Sequence, residues 1–147
     1  MIKFVISPEY FGSNDSKNKI KKQLNDLGAH NVEIDEATGF VSAVMNFNCY
    51  EEFLLGLKRK IEEKAKELTK GAVKEIKFNP DYTVFKIYGN RIKEVEKKNI
   101  AIELFLTSST YQVLSGVPQP EVSMCFEFYN SEGKLLKKID SEELINV

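Results

Sequence analysis

The stretch Ile100–Gly116, IAIELFLTSSTYQVLSG, decides how the C-terminal half of the chain is read. It runs for seventeen residues with no glycine, proline or asparagine before Gly116, and it holds five consecutive hydroxyl side chains, Thr107 to Tyr111. As a β-strand it would be about three times the usual length of 5–6 residues. As a helix it makes sense. Ile92, Val95, Asn99, Ile102, Leu106, Ser109, Val113 and Gly116 fall on one face at steps of three and four. The spacing predicts a helix starting near Arg91 or near Asn99, with that face toward the core and Ser109 as the small residue in it. Gly116 takes the position just past the helix end, and Pro118 follows where a helix stop is expected.

Hairpins lie on both sides of this helix. VKEIKF (73–78) and YTVFKIYG (82–89) flank the turn Asn79-Pro80-Asp81, and EVSMCFEFY (121–129) and KLLKKI (134–139) flank Asn130-Ser131-Glu132-Gly133. The second of these has a strict apolar alternation at Val122, Met124, Phe126 and Phe128. Upstream, Phe53, Leu54, Leu57, Ile61, Ala65 and Leu68 form the stripe of a helix from about Cys49 to Lys70. Asn48 is its expected cap, with Glu51 completing a capping box. A third hairpin has Glu36-Ala37-Thr38-Gly39 as its turn. Its second strand, Phe40–Phe47, is apolar on both faces and is expected to be central in its sheet. A first helix, Ser16 to Leu27, ends at Gly28, and MIKFVIS opens the chain as a strand. The order is β-α-β-β-α-β-β-α-β-β. It predicts a single α+β domain, residues 1–147, with a mostly antiparallel sheet of hairpins and about three helices.

Composition narrows the class of function. The 147 residues are 42% hydrophobic and 29% charged with a formal net charge of −1, which fits a globular chain. A lopsided charge, as in strongly basic nucleic-acid binders, is missing, so nucleic acid ranks low as a partner. No apolar stretch reaches the length that spans a bilayer, and MIKFVISPEYFG is not a secretory signal, so a cytoplasmic protein is expected. The two cysteines, Cys49 and Cys125, read as reduced, half-buried thiols. Arg59 and Arg91 are the only arginines, leaving two forks for bidentate recognition.

No catalytic set emerges. A serine nucleophile needs a base in hydrogen-bond reach and an orienting third group. The chain has one histidine, His30, and Ser108 and Ser109 lack the glycines of a nucleophile elbow. A phosphate cradle needs its glycines at a helix N-terminus, whereas here the glycine is at the far end. One histidine and two distant cysteines make a poor zinc set, and no cofactor motif is found. The paired glutamates and most lysines belong to solvated helix faces. Lys17, Lys19, Lys21 and Lys22 could form a weak anion patch.

Aromatic residues without a core role remain. Tyr10 and Phe11 lie beside Pro8 and Gly12, and Tyr82, Tyr88 and Tyr129 occupy hairpin positions off the apolar face. Such residues are what interface hot spots use. With Arg59 and Arg91 they are the candidate binding surface. NPDYTVFKIYG, YQVLSG and VSMCFEFYNSEGK together resemble a pattern in uncharacterised proteins of Gram-positive bacteria and their mobile elements, a resemblance that implies no activity. The first expectation is a non-enzymatic protein that occupies a protein partner, such as a phage or mobile-element accessory protein inhibiting a host defence system. A protein that binds or sequesters a nucleotide-type small ligand comes second, and a toxin-immunity protein third. An aromatic-lined pocket with an arginine at its rim favours a small ligand, whereas a flat aromatic patch favours a protein. Free strand edges make a homodimer an expectation too.

Overall fold

The computed structural model describes residues 1–6, 16–115 and 121–145. Its elements are β1 (Ile2–Ile6), α1 (Lys17–Asp26), β2 (His30–Ile34), β3 (Val41–Met45), α2 (Phe47–Leu68), β4 (Val73–Phe78), β5 (Val84–Gly89), α3 (Glu94–Leu114), β6 (Cys125–Tyr129), β7 (Leu135–Asp140) and the short α4 (Ser141–Ile145). The fold is α+β, and the order follows the sequence reading with α4 added. The strands form two sheets, not one: a three-stranded sheet ordered β1-β3-β2 and a four-stranded sheet ordered β4-β5-β6-β7.

Local chemistry sets most boundaries. Ser16 is extended, and its Oγ accepts from Lys19 N at 3.2 Å, which starts α1. At the other end Gly28 has φ +96°, Gly28 N donates to Asn25 O, and Ala29 N donates to Leu24 O. This Schellman closure brings Leu24 and Ala29 together in the core. Asp35 Oδ1 accepts from Ala37 N and Thr38 N, and so shapes the β2–β3 turn. Asn79 Oδ1 does the same for β4–β5, accepting from Thr83 N and Val84 N. The cap of α2 is Asn46, whose side chain accepts from Cys49 N at 2.9 Å. Asn48, the expected cap, already lies in the first turn, and the Glu51 capping box falls with it. Met45 is the last buried residue of β3, so the chain leaves the sheet at Asn46.

β3 is central, as its apolar sequence implies. It pairs antiparallel with β1 from Ile2↔Met45 to Ile6↔Val41, and with β2. In the larger sheet, β4–β5 and β6–β7 are antiparallel hairpins, while β5 and β6 run parallel from Val84↔Cys125 to Tyr88↔Tyr129. The parallel pair follows from α3, because parallel neighbours need a long crossover. Phe85, Ile87, Phe126 and Phe128 line the inner face of this sheet and are fully buried.

The helix read from IAIELFLTSSTYQVLSG is present, but a different face is buried. Lys97, Ala101, Leu104, Ser108 and Gln112 point inward, at steps of four, three, four and four. Val95 and Leu106 are 72% and 57% exposed, and Ser109 is half-exposed. The cause is the pair of cores that α3 serves. Ile100, Ala101 and Leu104 join the core of the four-stranded sheet, Leu114 joins that of the three-stranded sheet, and Tyr111 packs against both. α2 runs the other way: Phe53 and Leu57 belong to the three-stranded core and Ile61 to the four-stranded one. The expected stop at Gly116 and Pro118 lies outside the described residues.

Candidate functional surfaces

The parallel register of β5 and β6 brings Tyr88 and Tyr129 side by side. Both alternate away from the buried phenylalanines and stand on the outer face of the sheet, their rings stacked at 5.0 Å and 17°. Lys77 Nζ from β4 lies 5.6 Å from the centroid of the Tyr88 ring, a cation–π contact. β4 and β6 flank β5 on opposite sides, so the Tyr88 ring is contacted from both neighbouring strands. Tyr129 donates its hydroxyl proton to Glu127 Oε1 at 2.8 Å. That carboxylate pushes the phenol up to about 12, with burial and the charge of Glu127 adding to it. The same face carries Glu75, Lys86, Lys138 and Asp140, all exposed. The result is a mixed-charge outer sheet face around two stacked tyrosines.

Tyr82 does not belong to it. Its backbone turns to φ +56° in the β4–β5 turn, and its ring is 4% exposed in the four-stranded core. Phe78 lies 5.2 Å away and Tyr111 meets it edge-on at 5.2 Å. Burial first, then the nearby carboxylate of Glu62, raises the Tyr82 phenol above its ordinary value. The sequence reading placed this ring outward because strand alternation was extended into a turn. Tyr10 and Phe11 lie outside the described residues.

The two arginines stand apart. Arg91 is exposed before α3, at φ +56°. Arg59 lies on α2 and lines an open cleft of about 650 Å³ between α2 and the end of α1. Leu27, Glu52, Leu55, Gly56 and the aromatic Phe53 line it too. Among the described residues no tyrosine lines it, so Tyr82, Tyr88 and Tyr129 do not share this cleft with Arg59.

The hydroxyl run has no catalytic geometry. Thr107 Oγ1 donates to Glu103 O at 2.8 Å and Ser109 Oγ to Leu106 O at 3.4 Å, both back-bonds within the helix. Ser108 Oγ is buried with no hydrogen-bond partner among the described residues. Gln112, also buried, donates to Tyr82 O at 3.2 Å. His30 is the exposed first residue of β2, far along the chain from this run. Both thiols are free, and burial raises that of Cys125, which disfavours a thiolate. Among the described residues no three His, Cys, Asp or Glu side chains group to hold a metal, and no helix is long and apolar enough to cross a membrane. Compared with known protein families, with curated proteins and with solved structures, the chain matches none.

Proposed function

We propose that the protein acts without chemistry, by occupying a protein partner with the outer face of its four-stranded sheet. A phage or mobile-element accessory protein that inhibits a host defence system is the role this fits. The observation that carries the reading is the Tyr88–Tyr129 stack on the outer sheet face, clamped by Lys77 and Glu127. Tyrosines already fixed in one rotamer lose little entropy on binding and suit a protein interface. A small ligand would want these rings around a concavity, and neither lines the cleft that holds Arg59. A nucleic-acid base stacks on free aromatic faces, and Tyr88 and Tyr129 already stack on each other. The surrounding charges are three lysines and three carboxylates on one face, Lys77, Lys86, Lys138, Glu75, Glu127 and Asp140, a pattern that selects one partner's charges and not a polyanion.

The test uses wild-type protein and the double variant Lys86→Glu/Lys138→Glu, whose exposed side chains hold no core. Both are fixed to resin and exposed to host lysate. The reading expects one protein retained by the wild type and lost from the variant, and direct titration of that protein showing at least about a tenfold weaker affinity for the variant. Equal retention by both, or retention lost only on changing Arg59, sinks it.

A further inference from the structure

We infer that the outward face of α2 is a self-complementary seam on which a second copy of the chain docks. The inference begins at Gly56. Glycine is the least favourable residue in a helix interior after proline, and Gly56 stands in the middle of a 22-residue helix. Nothing among the described residues asks for it. Its φ is not left-handed, and among the described residues an added Cβ would meet no heavy atom within 4 Å. Gly28 and Gly89 differ, since a Cβ on either would strike Cys49 Sγ or Ala72 O. Gly56 therefore bares the α2 backbone toward open space, where a close neighbour can sit.

The residues around it are complementary about a two-fold axis, acid and leucine on one side, glycine and base at the matching positions on the other. Glu52, Leu55, Gly56 and Arg59 share the side of α2 opposite to Phe53, Leu57, Ile61 and Ala65. Glu52 and Arg59 are exposed, Leu55 is 49% exposed, and neither charge makes an ion pair among the described residues. A two-fold axis between Leu55 and Gly56 lays two α2 helices antiparallel. Leu55 of each copy then covers Gly56 of the other, and Glu52 of each meets Arg59 of the other. Each contact occurs twice, as an isologous interface requires. Leu27, 45% exposed across the cleft, extends the apolar part of the seam. A foreign helix would not need acid, leucine, glycine and base at positions complementary about one axis. A single helix seam is smaller than the ~1,600 Å² of a standard interface, so the dimer is weak and concentration-dependent. The seam is separate from the outer sheet face, so either reading can fail alone.

Sedimentation equilibrium over concentrations up to about 1 mM, the weak end of specific affinity, tests it. Wild type is expected to dimerise. Glu52→Arg sets two cations against each other at both ends of the seam, and Arg59→Glu sets two anions. Each variant is expected to be monomeric with unchanged circular dichroism, and an equimolar mixture of the two to dimerise again, because cationic seam then meets anionic seam. Gly56→Gln, which keeps the helix and fills the hole, is expected to abolish the dimer. A wild type monomeric at the highest concentration, single variants that dimerise as well as wild type, or a mixture that stays monomeric overturns the inference.

Discussion

Removing one oxygen, by Ser108→Ala, is expected to make the protein more stable. Ser108 is 0% exposed, with Leu104 and Ala101 at 0% and Gln112 at 3% on the same face of α3. Its hydroxyl has no partner among the described residues, although Thr107 and Ser109 beside it bond back to the helix. A buried, unsatisfied polar group costs about 1–3 kcal/mol. Alanine adds about 0.5 kcal/mol of helix propensity over serine. Against this, the void left by one oxygen, ~20 Å³, costs roughly 0.5 kcal/mol at 24 cal/mol per Å³. The net gain is about 1–3 kcal/mol, or a rise in Tm of roughly 3–10 °C for a chain of this size. Urea unfolding read by circular dichroism measures it as a higher midpoint at constant slope. Ser109→Ala is the control: its hydroxyl is half-exposed and bonded, so its change stays within about 0.5 kcal/mol. A loss of stability in Ser108→Ala, or a larger gain in Ser109→Ala, refutes the burial assigned to α3.

Two glycines separate in the same assay. Gly89→Ala puts a Cβ 2.2 Å from Ala72 O and 2.9 Å from Ile92 Cδ1, and a backbone oxygen cannot swing aside, so a loss of at least about 3 kcal/mol is expected. Gly56→Ala meets nothing and gains about 1 kcal/mol. In an alkaline ultraviolet titration Tyr129 is expected to ionise near 12, and Glu127→Gln to return it toward 10. The sign follows from the raised value: the contribution of Tyr129 is complete below pH 10 and lost as pH climbs toward 12, so midpoints fall across that window. Unfolding followed by far-ultraviolet dichroism and by tyrosine fluorescence is expected to give coincident curves, because α2 and Tyr111 serve both cores. Two separated transitions would show two domains.

Signals confined to a few residues were legible in the sequence. Ser16, Gly28, Asp35 with its turn, and Asn79 act through bonds to atoms two to five positions away, and each marks its boundary in the fold. Two asparagines two apart defeated this for α2. Choosing between Asn46 and Asn48 requires knowing where β3 leaves its sheet, a tertiary fact. Tyr82 failed for a related reason: alternation holds along a strand, and a positive φ in a turn re-aims the side chain. Tyr88 and Tyr129 were each picked out as candidates, but their stacking was beyond reach, since it depends on the parallel register between strands 41 positions apart in sequence. Arg59 and Gly56 are visible as residues, while their open surroundings belong only to the folded chain.

Periodicity assumes that a helix faces one core, and α3 faces two. Its first half closes the four-stranded sheet and its end reaches the three-stranded one, while α2 makes the same passage in reverse. Two helices that exchange cores in opposite order must lie antiparallel. Neither core is complete without both, so inward positions are constrained on more than one side of each helix. That is why Lys97, Ser108 and Gln112, three polar residues, are buried in α3 while Val95 and Leu106 are not. Place on the stitched pair, more than hydrophobicity, decides burial there. Binding surfaces are then pushed to positions the stitching does not use. On α2 that is the side opposite Phe53 and Ile61, where Glu52, Gly56 and Arg59 stand; on the larger sheet it is the side opposite Phe85 and Phe126, where Tyr88 and Tyr129 stand. On the two proposals, a partner on the sheet and a second copy on α2 would occupy different surfaces.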